Sequence, residues 1–320
     1  MLIYNEIEEM NIMVGETELQ IGLDRLVLGI PYPKLSNLDI GNLVTKEGIA
    51  QVHTAQKEFV SCMKHIENTI KETGQYILAK SKNKDLKRYK VLSDIDNGLL
   101  CIFSLGFCFG TGVINLEVNP SRMTSGKWNE LLALLSIQFY NHYDEFYSRV
   151  VVSHAEFYVD IVGESLSNLV LIDEGRRVTT IFKGTTYQGK RASPLVGTMY
   201  DKAQEQQKNE KLIRVEVRIN RNDISFKDLV ENDLFNPFSK FLVLNVDKLQ
   251  LIAAKYASPS LMNNIIEFGL FGGVKNKHAR KVILALLKEN TTTWWKPELF
   301  WAIHRELLLK FMPSHIGVIA

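Results

Sequence analysis

Apolar and polar residues alternate along 151–161. His154, Glu156, Tyr158 and Asp160 fall on one side of an extended segment, and Ala155, Phe157, Val159 and Ile161 on the other. The same period governs 214–219, where Arg214, Glu216 and Arg218 oppose Val215, Val217 and Ile219. Such stretches predict half-buried strands with one core face and one polar face. Further β-prone runs predict strands over 25–30, 98–105, 113–118, 169–172, 178–182 and 196–200, and the glycine-rich 106–112 turns the second of these into the third as a hairpin. Helical spacing predicts a helix over 46–73, on which Ile49, His53, Phe59 and Cys62 share a face. Asn119-Pro120 ends the hairpin, since the residue before proline is pushed out of the helical region. Thr124 or Ser125 then caps a helix whose stripe is Trp128, Leu131, Leu132, Leu135 and Phe139.

Strands interleaved with two helices, the second being the polar stretch 201–211, predict an α+β fold with a central antiparallel-rich sheet and flanking helices. Beyond 226 the pattern is mainly helical, over 241–256, 260–268, 277–290 and 297–311, and predicts a helical C-terminal subdomain. The expected divisions are an N-terminal α/β region over 1–90, a central domain over 91–225 and a helical region over 226–320. No internal repeat or low-complexity segment stands out.

A chain of 320 residues that is 46% apolar can bury a proper core. It contains no apolar run of about 18 residues, and its first residues are acidic where a secretory leader would be basic, so the expectation is a cytoplasmic protein with no membrane partner. Cys62, Cys101 and Cys108 form no CxxC pair and read as reduced, buried thiols. The net charge of +2 does not by itself argue for nucleic acid, but its distribution is uneven. Lys80, Lys82, Lys84, Lys87, Arg88 and Lys90 form one basic block, and Lys275, Lys277, Arg280 and Lys281 around His278 form another. Such blocks neutralise phosphates or are simply solvated surface.

The chemistry is concentrated between the two alternating strands. Glu156 and Glu216 each sit centrally on a polar face near the His154 imidazole, an oxygen-rich set suited to Mg²⁺ or Mn²⁺; equally, such acids form cross-strand ion pairs with neighbouring arginines. Between them lie Tyr187, Gly189, Arg191, Ser193, Tyr200, Lys202 and Glu205. A phenol that acts as a nucleophile needs a cation to stabilise its phenolate, which Lys202 and Arg191 can supply, while Gly189 and Ser193 suit a loop approaching a phosphate. Without further context, Tyr200 also reads as a strand-end aromatic and His154 as a hydrogen-bonded surface residue. The aromatic cluster Trp294, Trp295, Phe300 and Trp301 reads as packing.

In order, the segments NLEVNPSRMT (115–124), HAEFYVD (154–160), YQGKRAS (187–193), MYDKAQE (199–205) and RVEVRI (214–219) resemble the Rep-trans family of rolling-circle replication initiators from plasmids and filamentous phages. The resemblance covers about 113–220. It implies an HUH-like nuclease domain and a site-specific, metal-dependent endonuclease and strand transferase. In that family the tyrosine of Y-[DN]-K-x-x-E attacks a phosphodiester at the origin, leaving a 5′-phosphotyrosyl link and a free 3′-OH primer. Carried over, Tyr200 is the nucleophile, and Lys202 and Arg214 contact the scissile phosphate or hold the acids. Glu156 and Glu216 become metal ligands, with Asp160 and His154 beside them, for Mg²⁺ or Mn²⁺. Tyr187, Arg191 and Ser193 become DNA contacts, and Lys275, Lys277, Arg280 and Lys281 an origin-recognition element. Here His154 stands where arginine is common in the family, and Glu156 where aspartate is common, so an extra methylene moves the carboxylate.

The implied partners are origin DNA, single-stranded or in a hairpin at the nick, and a host helicase and polymerase. A homodimer is a further expectation. The competing readings are a relaxase of a mobile element using the same chemistry, and a DNA-binding regulator on the same fold that does not nick.

Overall fold

The computed structural model describes residues 10–31, 46–74, 76–80, 88–93, 98–108, 111–120, 123–124, 126–131, 149–175, 179–220, 224–231, 235–256 and 259–311. The fold is α+β, with a large antiparallel sheet and several helices. The strands are β1 (Met10–Val14), β2 (Thr17–Pro31), β3 (Tyr76–Lys80), β4 (Arg88–Ser93), β5 (Leu99–Cys108), β6 (Thr111–Val118), β7 (Val151–Val162), β8 (Leu169–Asp173), β9 (Thr179–Phe182), β10 (Thr185–Gln188), β11 (Leu195–Asp201), β12 (Leu212–Ile219) and β13 (Phe241–Asn245). The helices are α1 (Lys46–Thr73), α2 (Lys202–Glu205), α3 (Phe226–Glu231), α4 (Val246–Tyr256), α5 (Pro259–Gly273), α6 (Lys277–Glu289) and α7 (Pro297–Leu309). Residues 126–131 are also helical, and Thr124 caps them by accepting the Lys127 amide at 3.2 Å, as the sequence predicts. Among the described residues, no helix is long and apolar enough to cross a membrane.

Eleven strands make the main sheet, in the order β3-β4-β5-β6-β2-β7-β12-β11-β10-β9 with β1 added to β2. Its two halves share one plan. A long strand (β2 or β7) leaves the sheet centre, and a four-strand meander (β3 to β6, or β9 to β12) returns its last strand beside that long strand. β2 and β7 meet antiparallel in the middle, so connectivity repeats where the sequence shows no repeat.

The hydrophobic pattern of β2 explains its shape. Core positions are odd-numbered at Leu19, Ile21 and Leu23, then even-numbered at Leu26, Leu28 and Ile30, and the register shifts between Leu23 and Arg25 to absorb the change. An extra residue there keeps Leu26, Leu28 and Ile30 on the same inward face as Leu19, Ile21 and Leu23 and leaves Asp24 on the other face. A second shift, between Val27 and Leu28, reconciles Val152 with Ala155 on β7 in the same way.

Several expectations change in detail. The predicted strand over 25–30 is the end of a longer β2. The segment 185–188, assigned to no element from sequence, is β10 and carries Tyr187. Helical structure after Tyr200 stops at Glu205 instead of running to 211. The run 241–256 begins as β13, paired with β8, before α4. The main sheet runs across position 90, since β4 spans it, and the β8–β13 pairing joins segments on either side of 225. Trp128 and Leu131 are buried as predicted, while Leu132, Leu135, Phe139 and most of the basic block over 80–90 fall outside the described residues. Cys62 and Cys101 are buried, as expected.

α7 covers the apolar face of the sheet. Trp301 meets Phe157 edge-on with ring centroids 5.3 Å apart, and Trp294, Trp295 and Phe300 are buried packing residues. His304 is fully buried beneath the sheet centre, stacked on Phe238, with Nε2 2.9 Å from the Gly22 carbonyl and Nδ1 2.7 Å from that of Phe300. Burial outweighs those carbonyls and pushes the imidazole down from the ordinary 6.5 to about 4.

Between those values the unfolded chain binds a proton that the native state refuses, so stability is lost as pH falls from 6.5 towards 4. The loss is about 3 kcal/mol at full extent. Urea midpoints measured at pH 7 and pH 4.5 should show this loss in the parent chain, and His304→Gln should flatten that part of the profile. An unchanged slope in the variant would show that another group drives it.

Candidate active site

The polar face of the sheet is built by register. Tyr187, Thr198, Glu216 and Tyr158 lie in one row across β10, β11, β12 and β7, and Tyr200, Arg214 and Asp160 lie in the next. Arg218 and Glu156 pair in a third row, on the other side of the Glu216 row from Tyr200. Because the side-chain period is two, all these groups project to one side. Tyr200 and Glu216 are therefore diagonal neighbours on adjoining strands.

Two guanidinium groups organise four carboxylates. Arg214, nearly buried, donates Nε to Asp160 Oδ1 at 2.6 Å, Nη2 to Asp160 Oδ2 at 2.7 Å and Nη1 to Asp24 Oδ2 at 2.9 Å. It lies 3.6 Å over the Tyr158 ring. Tyr158 in turn lies against Gly22, where a Cβ would sit 2.2 Å from the phenol oxygen, so only glycine admits this stack. Arg218 spans the other pair, with Nη2 2.8 Å from Glu216 Oε1 and Nε 2.9 Å from Glu156 Oε1, the latter off the line of its N–H. His154 adds Nε2 to the same Glu156 oxygen at 2.7 Å.

The electrostatic consequence differs between the two glutamates. For Glu156, burial raises the carboxyl, but the His154 hydrogen bond and the charges of Arg218, His154 and Arg25 together hold it below its ordinary range. For Glu216, burial and then the Glu156 charge raise it, and Arg218 only partly compensates. The phenol of Tyr200 is pushed well up by burial, then by Glu216, with Arg214 opposing. Its ring is half-buried, with Lys202 Nζ 5.7 Å from its centroid and ion-paired to Glu205. Asp201 caps α2 by accepting the Gln204 amide at 2.8 Å.

Tyr200 opens on a cavity of about 440 Å³ whose wall includes Tyr187, Thr198, Glu216, Arg218, Lys183 and Glu205. The structure thus gathers Tyr200, Tyr187 and Glu216 at one place, with Lys202 over the Tyr200 ring. Asp160 is spoken for elsewhere, since both its oxygens are held by Arg214; it is not aimed into the cavity as the expected ligand set requires. His154 points Nδ1 to Asn220 Oδ1 at 2.7 Å, and Asn220 donates to the carbonyls of Arg191 and Ser193. Arg191 and Ser193 therefore belong to the loop at the His154 end and do not line the cavity. Lys275, Lys277 and Lys281 are exposed around the start of α6, Arg280 stacks 4.5 Å over Phe271, and none lines the cavity.

Among the described residues, no group of three or more His, Cys, Asp or Glu is arranged to hold a metal ion. Two carboxylates, Glu156 and Glu216, converge on the Arg218 guanidinium, and Glu216 is left under-neutralised. Asp24, Lys183 and Thr198 were missed from sequence. The parity change along 19–30 signals the bulge that exposes Asp24, and Lys183-Gly184 between two Thr-rich runs signals the tight turn of a hairpin.

Removing Arg214 leaves Asp160 buried and unpaired. Arg214→Ala should lower unfolding stability by about 3–5 kcal/mol, whereas the double replacement Asp160→Leu, Arg214→Met should lose much less. Equilibrium urea unfolding measures both, and a cost for Arg214→Ala below about 1 kcal/mol would show that the pair is not held as described.

No protein-family model matches the chain. No curated protein matches it either. Among solved structures, a rolling circle replication initiator protein from Geobacillus stearothermophilus is similar at 12% sequence identity, over 92% of this chain and 98% of that one, with a TM-score of 0.32, a likeness too slight to bear on the fold or the chemistry.

Proposed function

We propose that the chain is a rolling-circle replication initiator that nicks one strand of origin DNA with Tyr200. What carries the reading is the placement of Tyr200. Its ring is half-buried at the wall of a 440 Å³ cavity that Glu216 and Arg218 of β12 also line, and is overlain by Lys202, within the ordered motifs over 113–220. The Tyr200 oxygen bonds to phosphorus, and the bond from phosphorus to the 3′ oxygen breaks. The products are a 5′-phosphotyrosyl ester and a 3′-OH, which takes up a proton as it leaves. The phenolic proton passes to Glu216, whose burial and Glu156 neighbour raise its affinity for one. Lys202 and Arg218 offset charge developing on the phosphate. A single strand or hairpin suits this cavity, since a duplex hides its phosphodiester from in-line attack. A host helicase and polymerase would act downstream.

Mg²⁺ or Mn²⁺ would be held by Glu156 and Glu216, and supplies stabilisation of phosphoryl charge when bound. Arg218 now stands between those two acids, so a divalent ion competes with it for them. Arg218→Gln should bind Mn²⁺ roughly tenfold more tightly than the parent by calorimetry, on the scale of about 1.4 kcal/mol for one shared charge contact. Equal affinities would place the ion elsewhere.

A second reading, a DNA-binding regulator without nicking, is favoured by one observation: Glu156, Glu216 and Asp160 each already have an arginine partner. Supercoiled origin plasmid with Mn²⁺ separates the two. Nicking should leave protein on the 5′ end of a relaxed circle. Tyr200→Phe should retain DNA binding and form no adduct, while Tyr187→Phe still forms it. The reverse pattern would move the nucleophile to Tyr187.

A further inference from the structure

The hairpin of β9 and β10 is the outermost element of the sheet on the cavity side. Its turn is Lys183-Gly184, both with positive φ (49° and 78°), the geometry of a two-residue hairpin loop whose twist matches its strands. The base of the hairpin is fixed by a buried polar chain: Thr179 donates to Gln188 Oε1 at 2.9 Å, and Gln188 Nε2 donates to the Leu171 carbonyl at 2.8 Å. The tip is open, with Phe182 60% exposed.

Register decides where that ring points. Phe182 pairs with Thr185, and Thr180 with Tyr187, so Phe182 shares the face that carries Tyr187, Thr198 and Glu216. Continuing the β10–β11 register sets Thr185 opposite Tyr200. Phe182 then stands two strand spacings from the Tyr200 strand, about 10 Å. Lys183, Gly184 and Thr185 form the cavity wall on that side, and Lys183 Nζ lies 5.5 Å from the Phe182 centroid. An exposed ring at the rim of the cavity, with an ammonium beside it, matches a nucleotide: a base has a π-face to stack and a phosphate to meet the charge.

We propose that Phe182 is a stacking platform for an unpaired nucleobase flanking the phosphate in the cavity, with Lys183 meeting the adjacent phosphate. The inference rests on the reading that a DNA single strand enters at Tyr200. Stacking needs no sequence, and it excludes duplex, whose bases are already stacked.

The test uses full-length protein carrying Tyr200→Phe and, as probe, a fluorescein-labelled dT12 oligonucleotide followed by anisotropy. Phe182→Ala should weaken dT12 binding roughly tenfold and leave a 12-base-pair duplex unaffected, and Phe182→Trp should restore affinity with its own emission quenched on binding. Lys183→Ala should lower the salt dependence of binding by about one phosphate contact. Unchanged dT12 affinity for Phe182→Ala, or an unquenched tryptophan, overturns the platform. A parent chain that binds dT12 through Phe182 yet forms no adduct with plasmid refutes nicking alone; one that does not bind dT12 refutes both.

Discussion

The buried ion pair between Arg214 and Asp160 is the constraint on which the polar face depends. A carboxylate taken from water between two central strands is tolerated only because a planar guanidinium meets both its oxygens, at 2.6 and 2.7 Å. The same guanidinium reaches Asp24 across the β2 bulge and covers Tyr158, which needs Gly22 beneath it. β2, β7 and β12 are thereby locked in one register. That register sets Tyr200 opposite Arg214 and brings Glu216 to the neighbouring row.

The adjoining Arg218 does a different task with similar parts. Arg214 closes its network, but Arg218 divides itself between Glu156 and Glu216, one of its contacts poorly aligned, and Glu216 is left with raised proton affinity. A carboxylate that is under-neutralised at a cavity wall is chemically usable, whereas a fully satisfied one such as Asp160 is structural. The polar face thus carries a closed arginine network at Arg214 and an open one at Arg218, in rows on either side of the Glu216 row.

The fold supports this division from behind. Gly22 is the point where the two sides meet, with Tyr158 against it on the polar face and its carbonyl facing His304 of α7 on the apolar face. Trp301 and His304 of α7 pack edge-on against Phe157 of β7, seating the helix on the central strands. The second core, of β8, β13 and α4 to α6, carries the basic start of α6 and contributes no wall to the cavity.

Much of this was legible along the chain. The period-two alternation over 151–161 and 214–219 depends only on neighbours two residues apart, so sequence determined those strands, their inward residues and the fact that His154, Glu156, Asp160, Arg214, Glu216 and Arg218 share the outward side. The short motif around Tyr200 singled out the tyrosine for the same local reason. Partner choice was not legible. Whether Asp160 meets a metal or Arg214, whether Glu156 and Glu216 converge, and whether Phe182 reaches the rim all turn on which strands become neighbours and in what register. Residues as far apart as Asp24 and Arg214 settle those questions, through bulges and burial energies that no local window contains. Local chemistry named the side chains, and the long-range pairing of strands decided which of them touch.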